Sequence, residues 1–143
     1  MRVVGRTKVL IVDDEPAVAD TLAMVFRING YEVQVAYSAE DAIETIAAWE
    51  PNLAVIDVML PGMNGIDFAI VLKENRSHCE VLLFSGYEST GPLLEEAAKK
   101  GYVFEIVAKP MHPVEILDVV ESLLAENSRG RGRIQACQNP SGA

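Results

Sequence analysis

The chain has 143 residues, half of them apolar and only 6% aromatic, which suits one Ala/Val/Leu/Ile-rich α/β domain better than an aromatic-rich sandwich. No stretch reaches the ~18 continuous apolar residues of a membrane helix, and Met1–Thr7 carries Arg2 and Arg6 without the apolar core of a signal peptide, so a soluble cytoplasmic protein is expected. The formal net charge is −9, and all 21 acidic residues lie at or before Glu126 against nine Lys and Arg in the same span, so the body argues against direct nucleic-acid binding and fits one that collects cations.

Short β-rich runs alternate with helical stretches. Lys8–Val12 is a continuous apolar run ending in acids, the pattern of a buried parallel strand. Glu15–Asn29 has apolar residues at helical spacing (Val18, Leu22, Val25, Phe26), with Pro16 suited to its first turn and Gly30 to its stop. Tyr31–Ala36 alternates like a second strand. Ser38–Asp41 resembles a capping box opening a helix through Trp49, and Pro51 breaks it. Leu53–Val58 reads as a third strand, apolar apart from Asp57, followed by the Gly/Pro turn Met59–Gly65. Ile66–Asn75 is a third helix, Glu80–Phe84 a fourth strand, Thr90–Lys100 a fourth helix and Val103–Ala108 a fifth strand. Pro113–Glu126 is the last helix, with Ile116, Leu117, Val120, Leu123 and Leu124 on its apolar side.

Five βα units imply a doubly wound parallel sheet covered by helices on both faces. Residues 1–7 form a short arm and 8–126 the domain, with no room for a second one. Residues 127–143, rich in Gly, Ser, Arg, Gln and Pro, read as a disordered basic tail. Its Arg129, Arg131 and Arg133 suit a solvated segment, the alternative being contact with nucleic acid or an acidic partner. Cys79 and Cys137 lack metal-ligand spacing and read as reduced thiols. His78 and His112 show no partner pattern and read as surface residues.

In a doubly wound sheet, ligands bind at the carboxyl ends of the strands. The unusual polar residues fall at those ends: Asp13 and Asp14 after the first strand, Asp57 on the third, Ser85 after the fourth and Lys109 after the fifth. With strand order 2-1-3-4-5 these strands are neighbours, and one pocket holds three carboxylates, a hydroxyl and an ammonium. Two unit charges ~5 Å apart repel by roughly 3 kcal/mol at an effective dielectric of ~20. A hard divalent cation removes that cost, and Mg2+ held by a few carboxylates and waters is the usual solution. Such an ion attracts phosphate oxygens, Lys109 adds countercharge, Ser85 a donor, and one carboxylate can attack phosphorus in line. Each signal alone is weak, since Asp after a strand is commonly a turn residue or helix cap, and Ser-Gly and Lys-Pro are commonly turns and solvated loops. Their joint placement is specific.

These residues lie in VLIVDDEP (9–16), DVMLPGMNG (57–65), FSG (84–86) and KP (109–110). Together they resemble the receiver domain of bacterial two-component response regulators over about Lys8 to Leu124. The resemblance implies a flavodoxin-like (CheY-like) fold with Asp57 as phosphoacceptor. Asp14 would be a direct Mg2+ ligand, Asp13 would act largely through water, and Asp57 and the Met59 carbonyl would bind the same ion. Ser85 would swing toward the phosphoryl group and Lys109 would pair with it. The implied donor is a sensor histidine kinase or a histidine phosphotransfer protein, and the implied readout is a downstream protein target, commonly through the fourth helix, fifth strand and fifth helix. The resemblance also implies a switch that catalyses only its own phosphorylation and dephosphorylation; the acidic body and the lack of a long apolar run, separately, predict no direct nucleic-acid or membrane contact. Met59 offers no group to orient water and Tyr87 is bulky, so slow self-dephosphorylation is expected.

The chain departs from the family pattern at Ile106, where Tyr or Phe usually stands three residues before the lysine. Phe104, two residues earlier, shares a strand face with it. Two further readings stand beside the switch. A haloacid-dehalogenase-type phosphohydrolase also uses an aspartate nucleophile with Mg2+, but it would need a second Asp two residues along the same strand, where Met59 stands. A receiver-fold interaction module that is never phosphorylated is the other.

Overall fold

A computed structural model describes residues 6–76, 78–85, 90–108 and 112–130, the side chains of Thr90 and of 126–130 excepted. Ten elements alternate: β1 (Lys8–Val12), α1 (Pro16–Ile28), β2 (Glu32–Ala36), α2 (Ala39–Ala48), β3 (Leu53–Asp57), α3 (Gly65–Asn75), β4 (Glu80–Ser85), α4 (Thr90–Lys99), β5 (Glu105–Ala108) and α5 (Pro113–Gly130). The five strands form one parallel sheet, as the alternation of elements implied, and their order is β2-β1-β3-β4-β5.

The central strands are buried on both faces, which is why β1 and β3 read as unbroken apolar runs rather than alternating ones. Their side chains sort by parity into two cores. Leu10, Val12, Ala54, Ile56 and Leu83 face one side, with Phe68 and Leu72 of α3. Val9, Ile11, Val55, Leu82 and Phe84 face the other, with Phe26 of α1 and Ile116 of α5.

Helix starts follow local chemistry. Pro16 opens α1, where a missing N–H costs nothing. Ser38 Oγ accepts from the Asp41 N–H, and Asn64 Oδ1 accepts from the Asp67 N–H at the start of α3. Gly30, past the end of α1, has φ of 95°, a conformation that side chains resist.

Two boundaries differ by more than one residue from those read in the sequence. The fifth strand starts at Glu105, not Val103: Val103 is 87% exposed and Phe104 stacks on Tyr102 (centroids 6.2 Å apart, planes 7° apart), so the chain joins the sheet only afterwards. The last helix runs past Glu126 to Gly130, because Asn127, Ser128 and Arg129 include no strong helix breaker and Gly130 is the first. The first four residues of the expected tail are thus helical, and 131–143, Cys137 among them, lie outside the described residues. Among the described residues no helix is long and apolar enough to cross a membrane.

Candidate metal and phosphoryl site

The register brings the acidic residues together. Val12 of β1 pairs with Ile56 of β3, so Asp13 and Asp57 follow side by side at the carboxyl ends of adjacent strands. Carboxylate oxygens of Asp13, Asp14 and Asp57 all lie within 4.8 Å of one another. Asp13 and Asp57 are buried and Asp14 is exposed, so the cluster opens to solvent on one side.

The backbone around it is fixed. The Asp13 N–H donates to the Ala36 carbonyl (3.1 Å), which ties the end of β1 to the end of β2. Asp13 Oδ1 accepts from the Glu15 N–H (2.9 Å), so the first turn before α1 holds that carboxylate. Asp57 Oδ1 accepts from the Met59 N–H (3.1 Å). The Val58 N–H donates to the Phe84 carbonyl (3.1 Å), and the Gly65 N–H to the Val58 carbonyl (2.9 Å), so the loop after β3 is closed onto the sheet at both ends.

Ser85 ends β4 and is buried, on the strand next to that of Asp57. It pairs with Ala108, the last residue of β5. Lys109 follows directly and lies outside the described residues, as do Gly86, Tyr87 and Pro110. Met59 is 42% exposed at the mouth of the cluster. Phe104 lies just before β5, four residues ahead of Ala108, where it stacks on Tyr102. His112 is exposed, as expected, yet its Nδ1 accepts from the Val114 N–H at the start of α5 (3.1 Å), a role its surroundings in sequence did not announce.

Three carboxylates this close repel strongly at any moderate dielectric. A hard oxygen-ligated cation such as Mg2+ relieves the repulsion, and an all-oxygen donor set with one open side fits it. The donor set therefore suits the ion that receiver domains generally bind.

Comparison with known proteins agrees with this geometry. Residues 9–121 match the model of the response regulator receiver domain. The chain is 32% identical over 123 residues to the DNA-binding response regulator MtrA of Mycolicibacterium smegmatis, a match covering 85% of this chain and 52% of that protein. It thus spans about half the length of the curated relatives it first matches. A CheY-like receiver domain protein from Methanospirillum hungatei superimposes with a TM-score of 0.79 at 26% identity, covering 87% of this chain and 98% of that one. Response regulator TrrA from Thermotoga maritima, solved in complex with Mg(2+)-BeF, superimposes with a TM-score of 0.70 at 25% identity, covering 82% and 98%.

Proposed function

This chain belongs to the response regulator receiver family, and from that premise we propose that it is a Mg2+-dependent switch that accepts a phosphoryl group on Asp57. The observation that carries the proposal is the convergence of the Asp13, Asp14 and Asp57 carboxylates within 4.8 Å at the ends of β1 and β3. Asp14, Asp57 and the Met59 carbonyl would hold the ion, with Asp13 contributing largely through water. When bound, Mg2+ would neutralise charge on the transferring phosphoryl oxygens. Asp57 supplies the nucleophile: one oxygen attacks phosphorus, forming the acyl phosphate as the P–N bond of the donor's phosphohistidine breaks and its imidazole leaves, while Oδ1 stays oriented by the Met59 N–H. Ser85 offers a hydroxyl donor from the neighbouring strand, and Lys109 completes the charge balance. Burial of Asp57 limits water around the acyl phosphate, and Met59, with no polar group at the mouth, leaves that water unoriented. A long-lived phosphorylated state follows.

The donor would be a sensor histidine kinase or a histidine phosphotransfer protein, and the only chemistry catalysed would be the chain's own phosphorylation and dephosphorylation. The readout would be a change in binding to a protein target, or onward relay of the phosphoryl group, in the cytoplasm. DNA binding is stated of MtrA, a protein about twice as long as the matched region. The acidic body of this chain favours a protein partner over direct contact with nucleic acid.

The test is incubation with acetyl phosphate and Mg2+, read by intact mass, beside Asp57→Ala. One phosphoryl adduct that requires Mg2+, is released by hydroxylamine and is absent from the variant is the expected result. Absence of both adduct and Mg2+ binding would favour the unphosphorylated interaction module. Continuous turnover of a phosphate ester would favour the hydrolase.

A further inference from the structure

The loop between β3 and α3 carries Met59, whose N–H orients Asp57 and whose carbonyl is a proposed metal ligand. Its ends are fixed by the bonds of Val58 and Gly65, and Leu60 is buried. Among the described residues, one hydrogen bond joins the stretch from Leu60 to Met63 to another element: the Met63 N–H donates to Oε2 of Glu40 (3.3 Å). Glu40 lies in the first turn of α2, 23 positions away in sequence. Gly62 has φ of 74°, and a Cβ there would come 3.0 Å from the same Glu40 oxygen. The left-handed turn at Gly62 thus brings the backbone close against the carboxylate and presents the next N–H to it.

We propose that Glu40 is a positioning residue for the metal site, holding the β3–α3 loop so that the Met59 backbone keeps its place beside Asp57. Glu40 touches neither the acidic cluster nor the phosphoryl group in this scheme; it acts through the loop. The role rests on the reading of the cluster as a Mg2+-dependent phosphoacceptor. Because Glu40 is exposed on a helix, its replacement by Ala leaves the core intact.

The test uses Glu40→Ala and Glu40→Gln in the full chain. Met63 amide exchange is measured in chelator by NMR, and Mg2+ affinity by titration of the loop amide shifts. Glu40→Ala is expected to speed Met63 exchange and weaken Mg2+ binding about 10-fold, the lower end for lost outer-shell partners. Glu40→Gln keeps an acceptor oxygen and is expected to behave like the parent in both measurements. Faster exchange with unchanged affinity would overturn the positioning role. Equal weakening in both variants would also overturn it, since charge and not the hydrogen bond would then be acting. A parent protein with no Mg2+-dependent shifts would overturn the phosphoacceptor reading and this role with it, while Met63 exchange would still report whether the tie exists.

Discussion

Gly65 lies directly against the backbone of Asp57: a Cβ on Gly65 would overlap the Asp57 carbonyl oxygen and stand 2.8 Å from its carbon and 2.9 Å from Cγ2 of Ile56. The first residue of α3 therefore packs onto the end of β3 at a distance that only hydrogen permits. Neither neighbour can swing aside, because one is backbone and the other belongs to a filled core. Gly65→Ala must push β3 and α3 apart at the acidic cluster. We expect a loss of about 1–3 kcal/mol, typical of overpacking, read as a lower urea midpoint, and a smaller rise in Tm on adding Mg2+. Parental stability and an unchanged Mg2+ response would show that the backbone relaxes without moving Asp57.

Charge crowding makes a prediction of opposite sign. Asp13 shares its cluster with two carboxylates within 4.8 Å, each pair worth roughly 3 kcal/mol of repulsion at an effective dielectric of ~20 before solvent screening at exposed Asp14. Asp13→Asn removes the charge but keeps an oxygen for the Glu15 N–H. In chelator the variant is expected to unfold at a higher temperature, by about 1–2 kcal/mol once screening is allowed for. With Mg2+ the order reverses or closes, because the parent gains more from the ion. Thermal melts in both conditions check this, and a variant no more stable than the parent in chelator would contradict it.

Much of the fold and the acidic cluster was legible because their signals are local. An apolar run that ends in Asp13-Asp14, or in Asp57, marks both a buried strand and its carboxyl end, and the parallel topology brings such ends together. The roles of Gly65 and Glu40 were hidden for a different reason. Gly65 read as punctuation in a turn, since nothing in its neighbours reveals that it packs directly onto the backbone at the end of β3. Glu40 read as part of the first turn after the Ser38 cap, and its partner 23 positions away depends on how α2 packs beside the loop. The start of β5 misled because Val103 and Phe104 have strand-like side chains, while an edge strand with Val107 as its one buried residue leaves little pattern to read.

The last helix carries a cap of unusual type. His112 Nδ1 accepts from the Val114 N–H, and Glu115 Oε1 accepts from the His112 N–H (each 3.1 Å), which is the reciprocal logic of a capping box with imidazole in place of a hydroxyl. The Nδ1 atom must be unprotonated to accept. His112→Ala is expected to cost about 1 kcal/mol, the usual value of a lost N-cap. His112→Asn, which supplies an amide oxygen, should restore most of it. Chemical denaturation of the three proteins decides, and an Ala variant as stable as the parent would show that water replaces the cap without cost.

Cys79 sits fully buried before β4, and its burial pushes the thiol up to about 12 from 9.0, with Glu80 adding to the rise and Lys73 opposing it. At pH 8 the folded chain then holds almost no thiolate at this position, so alkylation of Cys79 should be negligible until the protein unfolds. Peptide mass mapping after iodoacetamide treatment, native and in urea, checks the first consequence. The second concerns alkaline stability. Well below pH 9.0 both states keep the proton and the full stability is present; as pH rises through 9.0 toward about 12 the unfolded chain releases it while the folded chain does not, so stability falls through that window. Tyr31, also raised by burial, adds a similar loss, but it does so equally in parent and variant. Cys79→Ala leaves a small cavity that lowers stability at every pH, so the difference in slope carries the result. The parent should lose stability more steeply than the variant above pH 9.0, and identical slopes would mean that the thiol is hydrated in the folded state.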